Sequence, residues 1–254
     1  MEEARATFLG HVAELRRRLL WVVATFASVT VVAFLIRVEP AAPFVGLDPY
    51  DNLAAQMFRA AAEHLVPAGT TLVVTGPMDA FNVQLAWSFA LAVMVSIPVA
   101  FYHVGRFLSP ALRPRESRVL RNAVLPIVML FLAGAAFAYL FVLPLALRAL
   151  YGFSGALGAA PLLDVGEFSG FLLATLVGFG VAFETPVVMV TLARAGLVEP
   201  RTYWRYWRHA AVAALVVGMV LTPDPTIVSQ LLLAAPLLLL YVAGAALSRS
   251  PAVA

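Results

Sequence analysis

Residues 168–194 read FSGFLLATLVGFGVAFETPVVMVTLAR, an apolar run interrupted midway by one acid, Glu184, with Pro186 two positions later. A helix needs about 20 apolar residues to cross a bilayer, and this run supplies them. The fold class follows from that length. The acid adds a functional question, because a charge at mid-membrane costs about 2.5–3.5 kcal/mol on insertion scales. A chain bears that cost where a partner satisfies the group or where the group has work to do.

Five further apolar stretches lie on either side. The expected spans are about 19–36, 80–104, 122–145, 168–194, 209–221 and 227–247, the fifth short for a bilayer. The expected fold is therefore all-α: a single polytopic membrane domain, residues 1–254, of six transmembrane helices. Composition agrees, with 62% apolar and only 12% charged residues against roughly a quarter charged in soluble domains. Mean hydropathy is +0.92.

Charge placement gives the orientation. All 17 basic residues are arginine. Those at the N-terminus (Arg5, Arg16, Arg17, Arg18), after span two (Arg106, Arg113, Arg115, Arg118, Arg121), after span four (Arg194, Arg201, Arg205, Arg208) and in the tail (Arg249) fall on one side. Arg37, Arg59 and Arg148 fall on the other, with most of the acids. The positive-inside rule then places both termini in the cytoplasm. A pI near 9.6 is thus a topology signal rather than a nucleic-acid footprint. There is no cysteine and no lysine, which excludes thiolate, Schiff-base and P-loop lysine chemistry. The four tryptophans, Trp21, Trp87, Trp204 and Trp207, fall near span ends and read as an interfacial belt. Residues 49–64 read as an amphipathic surface helix with Leu53, Met57, Ala60, Ala61 and Leu65 on its apolar stripe and an Arg59–Glu63 pair.

Four acids are candidates for chemistry. Glu14 stands in His11-Val-Ala-Glu14-Leu-Arg16-Arg-Arg18-Leu19, on a short amphipathic helix before span one; it either pairs with Arg18 at i,i+4 or accepts a cationic ligand. Glu116 is the single acid among the arginines of a proline-shaped loop, Phe107 to Arg118, where it is neutralised locally or forms a second cation acceptor. Glu184 is protonated, paired with Gln230 or Ser229, or serves a polar partner. Asp224, in Pro223-Asp-Pro225, either caps span six or shapes a rigid turn on the outer side. The four histidines lack metal spacing, and no nucleotide, hydrolase or zinc motif occurs, so no cofactor, no metal and no enzymatic activity are expected. A rival reading is a proton-coupled secondary transporter of a small solute with Glu184 as coupling acid, although no paired halves are visible.

Together these stretches resemble the TatC family, the polytopic core subunit of the twin-arginine protein translocase. The matching pieces are His11-x-x-Glu14-Leu15-Arg16-x-Arg18-Leu19, Phe107-x-x-Pro110-x-Leu112-x-x-x-Glu116, Phe183-Glu184-x-Pro186 and Leu221-Thr-Pro-Asp224-Pro with Ser229-Gln230. The resemblance implies a bacterial or archaeal inner-membrane receptor for the twin-arginine signal peptides of folded cargo, driven by the proton-motive force. It implies that Glu14 and Glu116 receive the signal arginines, that Arg16 and Phe107 shape that site, and that Glu184 serves a concave intramembrane face. The partners it implies are TatA- and TatB-type single-span subunits, further copies of the chain itself, and membrane lipid, but no nucleic acid.

Overall fold

The structure is a computed structural model that describes residues 2–38, 45–67, 69–108, 114–156, 162–221 and 227–249. Four of its helical runs are long and apolar enough to cross a membrane: Val12–Leu35, Asp79–Phe107, Ala123–Gly152 and Val165–Arg194. Two shorter apolar helices follow them, Trp207–Val220 and Leu233–Leu247.

Helix α1 (Glu2–Leu35) is continuous, about 51 Å long at 1.5 Å per residue. The separate amphipathic helix expected around Glu14 is therefore the first half of the spanning helix. No proline or glycine pair separates the two parts, so the backbone ladder simply continues. The chain then turns through the antiparallel strands β1 (Ile36–Val38) and β2 (Val45–Leu47) into α2 (Leu53–Leu65) and β3 (Thr71–Val73). Helix α3 (Asp79–Leu108) returns along α1, the most extensive helix contact among the described residues. Helix α4 (Pro114–Phe137) runs through a π-helical turn (Ala138–Val142) into α5 (Leu143–Ala156), so the expected third span is the middle of one longer helical run. Strand β4 (Leu162–Asp164) pairs in parallel with β3 and leads to α6 (Val165–Phe183), α7 (Thr185–Arg194), α8 (Pro200–Arg205), α9 (Trp207–Leu221) and α10 (Ile227–Leu247).

One end of the bundle is capped by polar bonds. Arg37 meets Asp48 at 3.6 Å and Asp51 at 3.2 Å. Asp51 also pairs with Arg59, which replaces the expected Arg59–Glu63 pair: a partner held on the preceding turn wins over a neighbour on an exposed helix face. Helix α2 starts at an Asn52 cap, whose Oδ1 accepts from Ala55 N at 2.9 Å and whose Nδ2 donates to Gln84 Oε1 at 2.7 Å. The buried residues of α2 are Ala54, Ala55, Ala61, Ala62 and Leu65, and Ala60 is exposed, a rotation of the expected face. Asp164 caps α6 by accepting from Gly166 N and Glu167 N. The Thr75 hydroxyl, donating to Asp164 at 2.8 Å, and these N–H groups hold its carboxyl below the usual range.

Trp87 corrects the belt reading. It is 4% exposed, and its Nε1 donates to Ser169 Oγ at 2.8 Å, tying α3 to α6 inside a cluster with Phe58 and Phe168. Trp21 and Trp207 are exposed, as belt residues are.

Glycine brings α4 and α6 together. A Cβ on Gly134 would meet Phe179 O at 2.5 Å and Phe183 Cβ at 2.8 Å, and one on Gly180 would meet the Phe131 ring at 2.7 Å. Gly134→Ala is expected to cost about 1–3 kcal/mol of stability through overpacking. Thermal unfolding in detergent measures it, and an unchanged midpoint would mean that the helices separate freely at this point.

Candidate functional site

Two places bring together what the sequence singled out. The first is the joint at Glu184. Pro186 has no N–H and sits in the first turn of α7, so the helical ladder cannot run through it unbroken. The expected fourth span is accordingly two helices, and Glu184 is the residue between them. Its own N–H turns back to Val181 O at 3.1 Å, a tighter closure than the α-helical one, and its C=O accepts from Val188 N at 3.0 Å to start α7. Pro98, Pro126 and Pro236 sit inside undivided helices, a tolerance that spanning helices show where neighbours satisfy the backbone.

Glycines fix the walls around this joint. Gly134 of α4 admits Phe183, and Gly244 of α10 admits Pro186 and Met189, whose atoms would lie 2.9 Å from a Cβ there. The Glu184 side chain is 6% exposed, and neither carboxylate oxygen has a hydrogen-bond partner among the described residues. Gln230, an expected partner, donates instead to Leu215 O at 3.1 Å and joins α10 to α9. The side chain of Ser229 lies outside the described residues. A buried carboxyl without a partner is the costly arrangement. Chemically it can accept hydrogen bonds from a polar group on an added helix, or donate one when protonated.

The second place is the end of the bundle opposite the capped one. Glu14 lies on α1 in the fork of Arg18, whose Nε is 3.1 Å from Oε1 and whose terminal nitrogen also touches that oxygen. Both side chains are mostly covered, at 27% and 14% exposure. Arg16 is exposed on the same helix, and Phe107 is half-buried at the end of α3. The fork confirms the local pairing expected for Glu14, and it shows the carboxylate in a geometry suited to guanidinium.

Glu116 belongs to the first turn of α4, so the proline-shaped loop is shorter than expected, but its side chain lies outside the described residues. Asp224 also lies outside them. The sequence reading missed a cavity of about 220 Å³ beside the Glu14 fork, lined by Arg17, Arg18, Trp21, His103 and Arg106. Its signal was present in the spacing: positions 14, 17, 18 and 21 share one face of α1, and 103 and 106 share one face of α3.

The sequence model of the family described as Sec-independent protein translocase protein (TatC) matches residues 10–236. A protein of that name from Cenarchaeum symbiosum is 37% identical over 93% of this chain and 92% of its own length. One from Escherichia coli K12 is 33% identical over 95% and 87%. A crystal structure of a twin arginine translocase receptor, TatC, superimposes with a TM-score of 0.79 at 32% identity, covering 94% of this chain and all of its own.

Proposed function

We infer that this chain, which belongs to the TatC family of Sec-independent protein translocase proteins, takes the arginines of twin-arginine signal peptides into the Glu14 fork. It is a multi-pass membrane protein of that translocase. Family membership supports this reading and not the solute-transporter alternative. The observation that carries the proposal is the fork itself, in which Arg18 occupies the position that a signal arginine would take. Recognition is then an exchange of one guanidinium for another. Glu116 serves as the second acceptor, Arg16 and Phe107 shape the site, and a lysine competitor loses the planar fork contact.

The arginine asymmetry supports six crossings, with α9 and α10 as the fifth and sixth and both termini in the cytoplasm. Asp224 then shapes the outer turn between them. Glu184 would dock the helices of TatA- or TatB-type subunits, or the inserted signal. The receptor role requires no chemistry on the cargo, so the chain is read as a non-enzymatic subunit that works with the proton-motive force.

Exchange makes a counterintuitive prediction. Arg18→Gln removes a competitor for Glu14 and should tighten binding of a twin-arginine peptide by about twofold, the worth of an i,i+4 pair. Fluorescence anisotropy of a labelled peptide on the purified chain measures it. Weaker binding would show that Arg18 supports the peptide rather than competing with it.

A further inference from the structure

We propose that the cavity between α1 and α3, walled by Arg17, Arg18, Trp21, His103 and Arg106, holds the phosphate of an anionic phospholipid headgroup. Three arginines converge on a space of about 220 Å³. That is smaller than the roughly 300–1,000 Å³ of drug-sized sites, and it suits a compact charged group. Among the described residues, neither Arg17 nor Arg106 has a carboxylate within ion-pair distance; Arg106 reaches only the Tyr102 hydroxyl, at 3.0 Å. His103 lines the same cavity, and its Nδ1 is buried with no hydrogen-bond partner among the described residues. Like charges gathered around a cavity call for an anion. Guanidinium forks match phosphate oxygens in pairs.

Depth favours a lipid over a soluble ion. On α1 the apolar run begins immediately after Arg18 and continues to Leu35, about 25 Å of helix, close to the thickness of a bilayer's hydrocarbon. The guanidiniums of Arg17 and Arg18 therefore sit where that layer ends. Arg106 occupies the corresponding place at the end of the apolar run of α3. Trp21, 61% exposed at the rim of the cavity, marks the same level, since indoles settle among headgroups. Basic pockets between membrane helices on the arginine-rich side are suited to anionic headgroups.

The site also adjoins the recognition fork, because Arg18 belongs to both. A phosphate on Arg18 would draw it from Glu14. This consequence alone rests on the signal-peptide reading; the lipid site does not.

Native mass spectrometry of the full chain in detergent tests the proposal by titration with phosphatidylglycerol, phosphatidylcholine and inorganic phosphate. The wild-type chain should prefer phosphatidylglycerol over phosphatidylcholine. Arg17→Gln/Arg106→Gln should weaken phosphatidylglycerol binding by about thirtyfold, the attraction expected of two arginines near an anionic surface, and leave phosphatidylcholine unchanged. Arg201→Gln, an exposed arginine on α8, should keep the preference. Should the double variant fail to fold, Arg17→Gln alone, at an exposed position, should weaken phosphatidylglycerol binding by about fivefold. Equal binding of the two lipids, or a folded variant that keeps the preference, overturns the site. Displacement of phosphatidylglycerol by equimolar inorganic phosphate overturns the headgroup and leaves a soluble anion.

Discussion

Glu184→Leu is expected to stabilise the isolated chain and to stop export. The physical reason is the same for both effects. In the isolated chain the carboxyl is buried at a broken helix and its oxygens have no hydrogen-bond partner within distance among the described residues, so its desolvation is costly to the fold. Removing it should raise the thermal midpoint in detergent, through a stabilisation of at most about 2.5–3.5 kcal/mol. An intramembrane acid retained at such a cost is a functional group by default. Its replacement should abolish export of a folded reporter while leaving twin-arginine peptide binding intact, since the Glu184 joint packs against α4 and α10 and the Glu14 fork lies on α1. A lowered midpoint would show that the carboxyl is satisfied within the chain. Full export would show that it is dispensable.

The double substitution Glu14→Gln/Glu116→Gln is expected to weaken twin-arginine peptide binding by about two orders of magnitude. A hydrogen bond to a charged group is worth about 1.5–3 kcal/mol, and two carboxylates each lose one. Partial exposure of Glu14 places the effect at the lower end of that range. Each single variant should lose about tenfold. Circular dichroism should be unchanged in all three, because Gln keeps the shape of the side chain and helix α1 does not depend on the pair. Undiminished binding in the double variant would remove both residues from recognition.

Much of this arrangement is legible in the sequence. The apolar runs give the helices because length and hydropathy alone decide which segments avoid water. The break at Glu184 is legible because Pro186 cannot donate to the helical ladder. What escapes is whatever depends on rotation or on a distant partner. Trp87 reads as a belt residue from its place near a span end, yet it turns inward to Ser169, a residue 82 positions away. The stripe of α2 is rotated where its Asn52 cap is tied to Gln84 of α3, 32 positions away. The three-residue strands carry too few residues to show alternation; they exist because neighbouring helix ends bring them together. The arginine cavity is divided between two helices, so neither stretch shows it alone. For Gln230, the carbonyl of Leu215 outcompetes the acid that polarity alone suggests.

Photocrosslinking from position 15, beside the Glu14 fork, should give strong crosslinks to a twin-arginine signal peptide and weak ones to its Lys-Lys variant. A probe at position 47, on the capped end of the bundle, should capture neither. Equal capture of both peptides from position 15, or capture of the twin-arginine peptide from position 47 instead, would contradict recognition at the Glu14 fork.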